Sequence, residues 1–137
     1  MKELSIEAKV DNLQSVLDHI DGELALAECP MTVQIQIDIA VEEMFVNIAS
    51  YAYGSGTGMA KVGIEISDDR QTAKIVLTDQ GIPFDPLAKP DPDVTLSADE
   101  RQIGGLGIYM VKKTMDDLTY EYRDGSNILT ITKKLTE

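Results

Sequence analysis

The stretch Val33-Gln34-Ile35-Gln36-Ile37-Asp38-Ile39-Ala40-Val41 alternates apolar and polar residues, and on that pattern alone it reads as a strand with one wet face. The chain runs on without a turn signal through Glu42-Glu43-Met44-Phe45-Val46-Asn47-Ile48-Ala49-Ser50 to Tyr53. An unbroken run of about 20 residues is long for a strand and ordinary for a helix. Residues 33 to 53 are therefore expected to be helical, with Gly54-Ser55-Gly56-Thr57-Gly58 ending the run. This choice turns a mostly-strand chain into one with a central helix.

Toward the N-terminus, Leu4, Ile6, Ala8 and Val10 alternate with polar residues and predict a strand. From Asp11, a good N-cap, Leu13, Val16, Leu17, Ile20 and Leu24 recur at helical spacing, so residues of about 11 to 28 are expected to form an amphipathic helix. Toward the C-terminus, residues 60–66 and 73–78 alternate and are joined by Ser67-Asp68-Asp69-Arg70, a hairpin pattern. Between Gly81 and Gly107 no period is sustained, and Pro83, Pro86, Pro90 and Pro92 accompany Asp85, Asp91, Asp93, Asp99 and Glu100. A connection that long is usually functional or disordered, and a lid of about residues 83–103 over a ligand is the reading adopted. After Gly107, the residues Ile108, Val111 and Met115 predict a short helix, and a last hairpin runs from Leu118 to Leu135 through Arg123-Asp124-Gly125-Ser126. The expected fold class is α+β, a two-layer sandwich of a mixed, mostly antiparallel sheet with helices on one face. A single domain over residues 1–137 is expected from the length.

Composition narrows the function. The chain is 43% hydrophobic and 26% charged, a globular balance, and no apolar run approaches the roughly 18 residues of a membrane span. Nothing at Met1-Lys2-Glu3-Leu4-Ser5 looks like a secretory signal, and a single cysteine, Cys29, suits a reducing cytoplasm. With 24 acidic against 12 basic residues the net charge is -12, which repels nucleic acid and anionic lipid. A phosphate ligand would need local means: free N–H groups at a helix start, a divalent cation, a few placed cations.

Three constellations carry chemistry. In the central helix Ile35, Ile39, Glu43 and Asn47 share one stripe, so a carboxylate and an amide project side by side. Alone, that spacing also suits two solvated or mutually bonded side chains. Asp79-Gln80-Gly81 ends a strand with a carboxylate, followed by a residue that allows a sharp turn or close approach; an ordinary Asp turn has the same form. Ile103-Gly104-Gly105-Leu106-Gly107-Ile108 leaves N–H groups unobstructed where a helix dipole begins, a phosphate-binding device that is neither G-x-G-x-x-G nor a P-loop. His19, Cys29 and the acidic residues of the long loop are assigned no role, since none has the companions that catalysis, metal binding or a calcium loop needs.

Together and in order, these motifs resemble the nucleotide-binding boxes of the GHKL ATPases, the superfamily of gyrase, histidine kinases, the heat-shock chaperone and the mismatch-repair ATPase. Length and the segment Asp79 to Pro86 look most like the bacterial anti-sigma-factor serine/threonine kinases. The resemblance implies the Bergerat ATP-binding fold, ATP and Mg²⁺ as cofactors, and transfer of the γ-phosphate to a small antagonist protein that competes with a sigma factor. It implies Asn47 as the Mg²⁺ ligand, Glu43 as general base, Asp79 as acceptor for the adenine amine, and Gly81 as room for the base. Gly104, Gly105, Leu106 and Gly107 would form the glycine box, with amides of Gly105 and Gly107 on the phosphates, and Arg101 would reach the γ-phosphate in the manner of an arginine finger. A homodimer is expected by the same resemblance. Three departures stand out: Tyr51 where these kinases commonly carry His, Asn127 where a Thr is frequent, and Gln102-Ile103 between Arg101 and the glycines. The alternative reading is an ATP-gated regulatory binding module without kinase activity.

Overall fold

The computed structural model describes residues 1–88 and 106–136. Strand β1 (Lys2–Glu7) leads through a 3-10 turn (Val10–Asn12) to helix α1 (Leu13–Leu26) and helix α2 (Met31–Tyr51). Strands β2 (Met59–Ile66) and β3 (Thr72–Asp79) follow, then helix α3 (Leu106–Thr114) and strands β4 (Asp117–Arg123) and β5 (Ser126–Lys134). The segment Val33–Val41 is helical, as its length argued and its alternation did not. The alternation has a physical source: Val33 and Ile37 are buried in the core, whereas Ile35 and Ile39 stay 50% and 52% exposed. Two apolar faces of one helix, offset by two residues, mimic a strand.

The first helix starts later than its sequence suggested. Asp11 lies in the 3-10 turn rather than at the cap, and the side chain of Asn12 donates to the Glu7 carbonyl at 2.9 Å, tying the helix entry to β1. At the other end Glu28 adopts a left-handed φ of 58°, while the N–H groups of Glu28 and Cys29 reach back to the carbonyls of Ala25 and Leu24 at 3.0 Å. That is a Schellman-type stop, with Pro30 beyond it preventing continuation.

The five strands form one sheet in the order β1-β2-β3-β5-β4, and all four pairings are antiparallel. The β4–β5 turn places Asp124 and Gly125 at φ 54° and 78°, the conformation a two-residue I′ hairpin needs and Asp-Gly supplies. One sheet face carries Val62, Ile64, Ile75, Leu77 and Ile131, all buried, and meets Val16, Ile20 and Leu24 of α1 and Ile37, Val41 and Phe45 of α2. Each such side chain removed from water stabilises the fold by about 1.5–3 kcal/mol. No described helix is long and apolar enough to cross a membrane.

The α1–α2 seam holds an unusual contact. Asp21 and Asp38 meet across it, and the buried Oδ1 of each finds no donor among the described residues while both groups are ionised, so a proton on Asp38 is what bonds the pair. Burial first, then the hydrogen bond and charge of Asp21, push the Asp38 carboxyl up to about 8. Burial and the Asp38 charge also raise the thiol of Cys29, which keeps that cysteine unreactive.

Candidate functional site

The antiparallel register brings the end of β3 beside the start of β5, so Asp79 stands opposite Asn127. Both are nearly closed to solvent, at 4% and 6% exposure. They line a cleft between the C-terminal half of α2 and the β3–β5–β4 side of the sheet. Met44, Ile48, Leu77 and Leu129 give it apolar walls, while Asn47, Asp79, Tyr120 and Asn127 supply its polar groups. Ile82 and Phe84 line the cleft where the chain leaves the sheet, and the ring of Phe84 lies 5.7 Å from that of Tyr51.

Among the described residues, the bonds to the Asp79 carboxylate all fall on one side. Its Oδ1 accepts the Gly81 N–H at 2.8 Å and the Asn127 side-chain amide at 2.9 Å; both bonds fall on that oxygen. Gly81 itself is pressed against the end of α2: a Cβ there would collide with the Ala52 backbone carbonyl, and the next N–H, of Ile82, donates to that carbonyl at 2.8 Å. A second tie comes from Tyr53, whose hydroxyl donates to the Met59 carbonyl at 2.5 Å and accepts the Gln80 N–H at 3.0 Å. Burial, with the Asp85 and Asp79 carboxylates nearby, raises the Tyr120 hydroxyl above its ordinary range against a backbone bond at Phe84, so it stays a neutral donor.

On the facing helix, Asn47 points into the cleft with its Nδ2 buried and unpartnered. An orphaned amide is a standing energetic penalty that a ligand relieves. Glu43, one turn earlier, is half-buried outside the cleft wall and abuts the first turn of α3: a Cβ on Gly107 would fall on its carboxyl group. Among the described residues no group of three or more His, Cys, Asp or Glu side chains could hold a metal ion. Mg²⁺ is commonly held by one or two protein oxygens together with substrate phosphates, and the side-chain oxygen of Asn47, which lines the cleft, could be one of them.

The structure thus brings together Asn47, Asp79 and Gly81, and separately joins Glu43 to Gly107. Leu106 opens α3. Arg101, Gly104 and Gly105, and most of the lid expected over residues 83–103, lie outside the described residues. Sequence reasoning passed over Tyr53 and Tyr120, and it read Asn127 only as a departure; the β3–β5 register that makes Asn127 central was not visible in local pattern.

The chain has counterparts among known proteins. The model of the histidine kinase-like ATPase domain matches residues 6–133. The serine/threonine-protein kinase BtrW of Bordetella bronchiseptica is 30% identical over 96 residues, covering 70% of this chain and 67% of that protein. The serine-protein kinase RsbW of Staphylococcus epidermidis is 35% identical over 96 residues, covering 66% and 59% respectively. The chain therefore spans about three-fifths to two-thirds of the length of these relatives. Among solved structures, the RsbU and RsbW domains of Rv1364c from Mycobacterium tuberculosis match all of this chain and 33% of that one, with a TM-score of 0.64 at 15% identity. The blue-light-activated histidine kinase of Erythrobacter litoralis EL346 matches 78% of this chain and 32% of its own, with a TM-score of 0.58 at 15% identity. At such identities the structures speak for the fold, a Bergerat-type sandwich. The sequence matches go further, and by them the chain belongs to the histidine kinase-like ATPase family, among relatives of the bacterial serine protein kinases.

Proposed function

We propose that the chain is an ATP-dependent protein serine/threonine kinase of the anti-sigma type, acting in the cytoplasm as a homodimer on a small antagonist protein and, through partner switching, on a sigma factor. The observation that carries this reading is the placing of Asn47 and Asp79 in one cleft, with Glu43 one turn outside it against the start of α3. Those positions match the two ends of a nucleotide and the point where an acceptor hydroxyl would arrive.

Asp79 accepts the exocyclic amine of adenine through Oδ2, the oxygen that its described partners leave open. Leu77, Leu129, Met44 and Ile48 exclude water from the base. Asn47 would hold Mg²⁺ through its side-chain oxygen, and the ion would supply positive charge to offset that of the phosphates. The amides of Gly104, Gly105 and Gly107 would cradle the phosphates where α3 begins, in a chain whose net charge of -12 would otherwise repel them. Arg101, outside the described residues, is the cation the resemblance assigns to the γ-phosphate. Glu43 takes the proton from the acceptor serine or threonine as its oxygen bonds to the γ-phosphorus, and the bond from that phosphorus to the β–γ bridging oxygen breaks to release ADP.

The test is transfer of radiolabelled phosphate from ATP to candidate antagonist proteins encoded in the same genome. Labelling of one of them, abolished in Glu43→Ala and Asn47→Ala, is the expected result. Tight Mg-ATP binding with no labelling of any candidate would overturn the kinase reading and favour an ATP-gated binding module. No binding at millimolar nucleotide would overturn both.

A further inference from the structure

The side-chain amide of Asn127 joins four groups that the chain brings from three places. Its Nδ2 donates to Asp79 Oδ1 at 2.9 Å and to the Ile82 carbonyl at 2.8 Å. Its Oδ1 accepts the Phe84 N–H at 3.1 Å and the Tyr120 hydroxyl at 2.5 Å. The orientation is dictated by chemistry: a carbonyl can only accept and a backbone N–H can only donate, so the amide cannot be turned round without breaking both backbone bonds. With 6% exposure, no bulk water competes for these bonds.

The Gly81 N–H alone would leave the Asp79 carboxylate loose, because the terminal torsion of an aspartate has a broad, roughly two-fold profile. A second donor arriving from β5 on the same oxygen removes that freedom. We infer that Asn127 is a positioning residue for base recognition: by holding Asp79 Oδ1 it fixes the direction in which Oδ2 meets the exocyclic amine of a purine. Its bonds to Ile82 and Phe84 place the wall of the same cleft. An asparagine can do this where a threonine cannot, since one amide offers two N–H donors and an acceptor oxygen at once. The inference rests on the nucleotide reading of the cleft and goes beyond it by naming what aims the carboxylate.

Equilibrium binding of two probes to the full chain tests it: ATP, and purine riboside triphosphate, which lacks only the 6-amino group. Wild type is expected to prefer ATP. In Asn127→Ala that preference should shrink by about tenfold, the worth of a well-aimed bond to a charged acceptor, while affinity for the amine-free nucleotide stays within about threefold. Asn127→Asp keeps the shape but has no N–H to give, and should lose at least as much. An unchanged preference in Asn127→Ala, or equal weakening of both nucleotides, would overturn the inference; the second pattern means Asn127 only supports the fold. Should Asn127→Ala fail to fold, Tyr120→Phe decides, because it frees one side of the Asn127 oxygen: a partial loss of preference is expected, and none overturns the inference. A wild-type chain that binds both probes equally would instead fail the Asp79 assignment, and the role of Asn127 with it.

Discussion

The carboxyl group of Glu43 occupies the space where a side chain on Gly107 would begin. The first turn of α3 and the acid of α2 are thus fitted to each other, and the only residue that permits the fit is glycine.

Replacing Gly107 by alanine therefore separates stability from activity. The atoms in the way belong to the end of a flexible side chain, and alanine is the better helix former, so unfolding free energy should change by less than about 1 kcal/mol. Glu43 must move, and phosphotransfer should fall by orders of magnitude while nucleotide still binds. Thermal melts beside a labelling assay read both.

Gly81→Ala should behave in the opposite way. Here the obstacle is the Ala52 backbone, which cannot swing aside. A loss of about 1–3 kcal/mol is expected from forced overpacking, together with weaker nucleotide binding. Denaturant titration with and without Mg-ATP measures the two losses.

The Asp21–Asp38 contact gives the fold a pH dependence. Asp38 titrates near 8 in the folded chain and in the ordinary carboxylate range when unfolded, so between those values the folded state binds the extra proton. Stability from this group is complete at acid pH and declines as pH rises from about 4 to 8, since the slope follows the protons bound unfolded minus those bound folded. Asp38→Asn should flatten that decline, gaining on wild type across the window and holding its lead above pH 8. Denaturation midpoints at several pH values show whether it does.

Tyr51→Ala removes the aromatic neighbour of Phe84, a contact worth about 0.5–1.5 kcal/mol where well packed. Both rings are partly exposed, so the fold should barely notice. Phe84 lines the cleft, and ATP affinity should fall by a few-fold. Calorimetric titration of the two proteins provides the comparison.

Much of the fold was legible because period and punctuation agree. The β2–β3 and β4–β5 hairpins showed themselves by alternation around Ser67–Arg70 and Asp124-Gly125, and α3 by Ile108, Val111 and Met115. Helix α2 was legible only by its length, because Ile35 and Ile39 are apolar yet face solvent. Of the site, Asn47, Asp79 and Gly81 could be found from motifs whose spacing is local. Asn127 could not, since its partners are 43 to 48 residues away in sequence, apart from Tyr120. The Asp21–Asp38 contact was hidden for a similar reason: each acid looks like an ordinary surface residue until the two helices are laid side by side.

The bond from Ile82 to the Ala52 carbonyl, with Gly81 packed flush beneath it, welds the tail of one helix to the exit of one strand. Asn47 sits five residues before that weld on one arm and Asp79 two residues before Gly81 on the other. The distance between these two side chains is therefore cut into the main chain, like the jaws of a fixed spanner. On the nucleotide reading proposed above, a free base or a bare polyphosphate would touch one jaw, and only the whole molecule would be gripped by both.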